Sequence, residues 1–271
     1  MKSGTTLRSR RSTELFYKLQ DGINQLLTSK QWEEFLKFQR QFHSYSFNNV
    51  VLIFNQFPTA TRVASYTTWK KLKRTVREKE KAIWILAPII TKIEDDNESS
   101  EIQIRGYRYV PVFDITQTEG KEPPVICNVL EGNDFKGKYR TLIEVASEFN
   151  FKVKECEIND SSNGDCSFDT RTIRIKCENS TVQKIKTLVH ELAHGILHEF
   201  ESDRALAELE AESVAFIVCG MLEIDTADYS FGYLTNWGTM TDNVIDTIKR
   251  SGENIQKCSD TIYQKLLELD K

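Results

Sequence analysis

Apolar residues recur at helical spacing from the start of the chain. Between Ser12 and Ser29, the residues Leu15, Phe16, Leu19, Ile23, Leu26 and Leu27 fall on one side. This predicts an amphipathic helix with Ser12 as its cap and Glu14 in its first turn. Trp32–His43 reads as a second helix, and Ser46–Phe57 ("SFNNVVLIFNQF") as a third, stopped by Pro58. The pattern changes in "SYTTWKKLKRTVREKEKAIWILAPII". Its first half predicts a basic helix. Its second half, Ala82–Ile90, is an apolar run of strand length. Asp95–Glu101 ("DDNESSE") predicts a hairpin tip or loop, and Arg105–Asp114 the returning strand. Gln117–Pro124 ("QTEGKEPP") is charged and poor in apolar residues, which predicts a linker.

Beyond the linker, Tyr139–Asn150 reads as a helix and Lys152–Glu157 as a strand. Asp160–Asp165 ("DSSNGD") reads as a turn, and Thr172–Lys176 alternates as a strand. Three long helices follow, Ser180–Phe200, Arg204–Leu222 and Ile245–Leu269. No segment repeats. The element pattern gives an α+β fold, and 271 residues suit two domains, 1–125 and 126–271.

Charge sharpens that division. Residues 1–85 hold 16 Lys+Arg against 6 Asp+Glu, a balance of +10, while the whole chain carries −4. The remainder therefore carries −14. A basic first part points to a polyanionic partner or to a solvated basic face. No apolar run reaches the roughly 18 residues of a membrane span, so no membrane association is expected. The N-terminus lacks the apolar core of a secretory signal. Six scattered cysteines without a CxxC pair read as reduced thiols, which predicts a cytoplasmic protein.

The chemistry concentrates in "TLVHELAHGILHEF", which holds three of the four histidines. His190 and His194 are one turn apart on a helix, so both imidazoles can reach one ion. Glu191 between them is placed to act as general base toward water at the ion. A catalytic zinc site needs a third protein ligand and an open position. His198 lies about 12 Å from His190 along the helix axis and fits poorly. It is expected to pack beside the site or cap the helix end. A glycine and a further histidine would complete the longer HExxHxxGxxH pattern, but those places are Leu197 and Phe200. A carboxylate on the next helix is the remaining source. There Glu208 and Glu212 share a face and can serve as ligand and as outer partner, while Glu210 is turned about 200° away and is expected to face solvent.

"HELAHGILH" followed by "ELEAESVAF" resembles the ImmA/IrrE-type metallopeptidases. That resemblance implies zinc held by His190, His194 and Glu208, with Glu191 catalytic. Glu212 stands where many relatives carry Asn or Asp. The wider order of "SFNNVVLIF", "ASYTTWKKL", "KAIWILAP", "YVPVFDITQT", the peptidase motifs and "YSFGYLTNW" resembles the ArdC-like antirestriction proteins of mobile elements, over roughly residues 12–270. It implies an α/β N-terminal domain that binds single-stranded DNA, ahead of a zincin-like metallopeptidase domain. The residues agree with single-strand binding: Tyr66, Trp69, Lys70, Lys71, Lys73, Arg74 and Arg77 join cations to aromatic rings, as do Arg105, Tyr107, Arg108 and Tyr109. Core burial is the other fate open to Trp69.

The reading is therefore a one-zinc peptidase joined to a single-stranded DNA binder, with a protein of a restriction, defence or repressor system as a candidate substrate. Two other readings are a DNA-shielding protein with a structural or vestigial metal site, and a metal-dependent hydrolase of another class. Tyr229 and Tyr233 are candidate oxyanion donors.

Overall fold

The computed structural model of this chain describes residues 17–23, 25–26, 29–42, 44–94, 100–122, 134–225 and 244–270. In chain order the elements are α1 (Ser29–Gln39), α2 (Phe47–Gln56), β1 (Val63–Ala64), α3 (Tyr66–Lys71), β2 (Arg74–Val76), β3 (Ile83–Glu94), β4 (Ser100–Asp114), β5 (Thr118–Gly120), α4 (Phe135–Glu148), β6 (Lys152–Cys156), β7 (Gly164–Ser167), β8 (Thr172–Lys176), α5 (Thr181–Leu197), α6 (Arg204–Met221) and α7 (Val244–Leu269). Residues 17–23 are helical as well. Packing divides the chain into two compact units. One comprises Met1–Gln25 with Ser44–Pro124, and the other Leu26–His43 with Val125–Lys271.

In the first unit, β4 pairs antiparallel with both β1 and the long β3. β3 is an edge strand, and such an edge exposes unpaired backbone groups. Helix α2 covers it with two amides. The Asn49 side chain donates to the Leu86 carbonyl and accepts from the Leu86 amide, both at 2.8 Å. Gln56 does the same at Trp84, donating at 2.9 Å and accepting at 3.1 Å. The apolar face of α2, with Val50, Val51 and Ile53 fully buried, lies against the strand. Asp114, also fully buried, gathers the turns at the end of the sheet. Its carboxylate accepts from the amides of Thr61, Arg62 and Thr116.

Two expectations change here. The basic helix is short: α3 ends at Lys71, the chain turns through Lys73 at φ 60°, and Arg74–Val76 forms β2. The expected linker begins as structure. Gln117 is buried and accepts from the Asp114 amide, and Thr118–Gly120 forms β5 against β2. Its few apolar residues did not reveal a strand held by backbone pairing.

The second unit carries a three-stranded mixed sheet in the order β6-β8-β7. β8 runs parallel to β6 and antiparallel to β7. Ile173 and Ile175 of β8 point into the core, while Arg174 points out and pairs with Asp165 at 2.7 Å. Helices α4 and α5 pack on this sheet, and α6 and α7 pack on the helices. Helix α1, expected within the first domain, belongs here instead. Its fully buried Trp32 donates its indole N–H to the Ser213 hydroxyl of α6 at 3.0 Å. Among the described residues no helix is long and apolar enough to cross a membrane.

Candidate metal centre

Helix α5 opens with Ser180, whose hydroxyl accepts from the Gln183 amide as an N-cap. Ile185, Leu188, Val189 and Leu192 bury one face completely. Gly195 lets the helix approach Phe151, because a Cβ there would lie 2.7 Å from two ring atoms. The opposite face presents His190, Glu191 and His194 to a cleft of 920 Å³, walled by Asn163–Cys166 of the sheet edge and by α6. Gly164 brings the β7 strand close to this face, since a Cβ there would meet Thr187 at 2.5 Å and the Arg174 carbonyl at 2.7 Å.

Helix α6 starts at the cap Asp203, which accepts from the Leu206 amide, and it lies against α5. It carries Glu208 to the histidines. The Nε2 atoms of His190 and His194 are 3.1 Å apart, and a Glu208 carboxylate oxygen is 3.5 and 3.7 Å from them. Ligand atoms of these three side chains all lie within 4.8 Å of one another.

The other ring nitrogens are occupied. His190 Nδ1 meets a Glu212 carboxylate oxygen at 3.2 Å. A carboxylate only accepts, so His190 donates from Nδ1, and Nε2 is the atom turned toward the cluster. His194 Nδ1 lies 2.9 Å from Nδ1 of His198, whose Nε2 meets Glu210 at 3.3 Å. Two imidazole Nε2 atoms and a carboxylate oxygen therefore converge on one point. That donor set suits a divalent cation.

The electrostatics carry the same imprint. Burial disfavours the His190 imidazolium, but the Glu208 and Glu212 carboxylates beside it outweigh burial and raise the pKa to about 9. Burial lowers that of His194. The two histidines beside it hold the Glu208 carboxyl well below the usual range. Glu191 is pushed up to about 7, chiefly by burial.

Three expectations about neighbours can be judged. Glu212 is on the Glu208 side, next to His190. His198 both caps α5 and packs against His194. Glu210 is a correction: it is 3% exposed, not solvent-facing. Helix α6 is enclosed by α1, α5 and α7, so it has no open side at that position. The unbroken apolar run Val214–Cys219 was the available signal of a helix buried all round. Tyr229 and Tyr233 lie outside the described residues.

The residues expected to meet nucleic acid divide. Trp69 is in the core and donates to the Phe113 carbonyl at 2.8 Å. Arg74 is buried, with its guanidinium spent on Thr118 and on the carbonyls of Gly120 and Lys121. Neither can present a surface to DNA. Arg77 is exposed but pairs with Glu80 at 2.7 Å. Lys70, Lys71 and Lys73 are exposed, and so is Tyr66.

Comparison with known proteins agrees with this geometry. Residues 6–115 match the N-terminal domain of the anti-restriction factor ArdC, and residues 146–230 match the IrrE N-terminal-like domain, a peptidase family. The second match contains every residue of the histidine–glutamate cluster. The chain is similar to the uncharacterized protein pXO2-81 of Bacillus anthracis, at 25% identity over 88% of this chain and 49% of that protein. It thus spans about half the length of that relative. Two crystal structures of antirestriction protein ArdC from plasmid R388 share its fold. The metal-free form has a TM-score of 0.51 at 17% identity, covering 83% of this chain and 86% of that one. The Mn(II)-bound form has a TM-score of 0.50 at 18% identity, covering 82% and 89%. The chain thus places a domain matching the ArdC N-terminal domain ahead of an IrrE-like domain of metallopeptidase-like fold, and it shares the fold of antirestriction protein ArdC.

Proposed function

We propose that residues 126–271 form a zinc-dependent peptidase and that residues 1–125, apart from helix α1, bind single-stranded DNA, the two together serving antirestriction. The observation that carries the first half is the convergence of two imidazole nitrogens and the Glu208 carboxylate beside Glu191 in an open cleft. His190, His194 and Glu208 hold the ion. When bound, a zinc ion supplies Lewis acidity toward a peptide carbonyl and toward water. Glu191 takes a proton from the attacking water and passes it to the departing amine. Glu212 keeps the His190 ring oriented through Nδ1. The β7 strand and α6 bound the cleft in which a polypeptide substrate lies.

The DNA-binding half is supported by the basic balance of residues 1–85 and by the exposed Lys70, Lys71 and Lys73 with Tyr66 on the same segment. Mn(II) in the R388 protein makes other divalent ions worth comparing with zinc.

Glu191→Gln is the direct test. It should retain wild-type metal content and cleave neither casein nor a quenched random-peptide library that the wild-type protein cleaves. Wild-type cleavage by this variant would remove Glu191 from the mechanism.

A further inference from the structure

Beyond the three ligands, a buried polar chain runs away from the cleft into the helical core. Glu210 and His198 are nearly as inaccessible as the apolar core around them. Burying such groups is costly unless each polar atom finds a partner. Here each does. Glu210 Oε2 accepts from Asn254 Nδ2 of α7 at 3.4 Å and lies 3.3 Å from His198 Nε2. His198 Nδ1 lies 2.9 Å from His194 Nδ1.

The order of protons along this chain follows from donor and acceptor types. The Glu210 carboxylate accepts, so His198 carries its proton on Nε2. With the proton placed there, the ring offers a lone pair at Nδ1. His194 must therefore donate from its own Nδ1, which leaves the lone pair on Nε2. That atom is the one facing His190 and Glu208, at 3.1 and 3.7 Å. The two histidines of the cluster are thus held differently. Glu212 orients His190 directly, whereas His194 is oriented at one remove, through a second imidazole.

We propose that His198 and Glu210 are positioning residues that fix the tautomer and ring orientation of His194 before any metal arrives, with Asn254 tying the arrangement to α7. This rests on the reading of His190, His194 and Glu208 as metal ligands. It explains why a histidine unsuited to ligation stands one turn after the motif. It also explains why a carboxylate occupies the enclosed side of α6, two residues from Glu208 and facing the other way. Outer partners of metal-bound histidines are typically worth ten- to hundredfold in metal affinity.

The test is a zinc competition titration against a chromophoric chelator, paired with nitrogen-15 NMR of the histidine side chains in the metal-free full-length protein. His198→Phe keeps the ring volume without either nitrogen, and Glu210→Leu removes the acceptor. Both are expected to weaken zinc binding about ten- to hundredfold. Glu210→Gln, whose amide oxygen can still accept, should weaken it less. In the wild-type spectrum, His194 should carry its proton on Nδ1. In His198→Phe it should shift toward the Nε2-protonated form. Folded His198→Phe and Glu210→Leu variants with wild-type zinc affinity would overturn the proposal. So would a wild-type His194 protonated on Nε2, a result that needs no variant to fold. His194→Ala separates the two levels. If it binds zinc as well as wild type, the ligand reading itself fails. If it loses zinc while His198→Phe does not, only the positioning role fails.

Discussion

Single atoms decide how closely the site's parts approach. A methyl group at Gly195 would meet the Phe151 ring at 2.7 Å, and that ring is fully enclosed. Gly195→Ala should therefore cost about 1–3 kcal/mol by overpacking, read as a lower urea midpoint. A midpoint equal to wild type would mean that α5 and the ring can part freely. Asp260 offers a pH test away from the site. Burial pushes its carboxyl from 3.8 up to about 7. The folded chain therefore holds a proton that the unfolded chain has released. The stability due to the protonated form is full below about pH 4 and is lost as pH rises through about 7. Asp260→Asn should raise the melting temperature at pH 8 more than at pH 4, and an equal effect at both would contradict the assignment. At this scale HExxH spacing and helix period, which are local rules, put His190 and His194 side by side and Glu208 on one face with Glu212, while only the resemblance singled out Glu208. It misplaced Glu210, because period alone puts that residue opposite Glu208 without saying what packs there.

Elements were legible where a long period repeats. Helices α5, α6 and α7 fall within a few residues of their expected bounds. The strands β2, β5 and β7, of three or four residues, were not expected as strands. They are too short to show a period; β2 and β5 are held by pairing with each other across a long stretch of chain, and β7 by pairing with the strand that follows it. The segment around α3 shows how an apparent surface motif can be structural. Trp69 and Arg74 close the fold, while Lys70 and Lys71 remain outside. Trp69→Phe loses the bond to the Phe113 carbonyl and should cost roughly 1–3 kcal/mol while leaving the DNA affinity of the folded protein intact. Replacing Lys70 and Lys71 together by alanine should do the reverse. If both contact phosphates of a single strand, the slope of log affinity against log salt should fall by about 1.4. An unchanged slope, measured by fluorescence anisotropy, would place the DNA elsewhere.

The molecule joins two units of opposite charge balance, and that much was legible from composition. Membership was not. Helix α1 precedes most of the first unit in sequence yet packs in the second, where Trp32 meets Ser213. No local pattern records a contact across 181 positions. The same scale holds the biological question. If proteolysis carries antirestriction, Glu191→Gln should lose protection in a conjugation assay while still binding DNA. Full protection by that variant would favour DNA shielding alone. The central claim, that His190, His194 and Glu208 form one metal centre, is tested most directly by elemental analysis of the purified protein beside Glu208→Ala. The account predicts about one equivalent of divalent metal in the wild type and a small fraction of that in the variant. A wild type without bound metal, or a Glu208→Ala variant that retains its full equivalent, would contradict it.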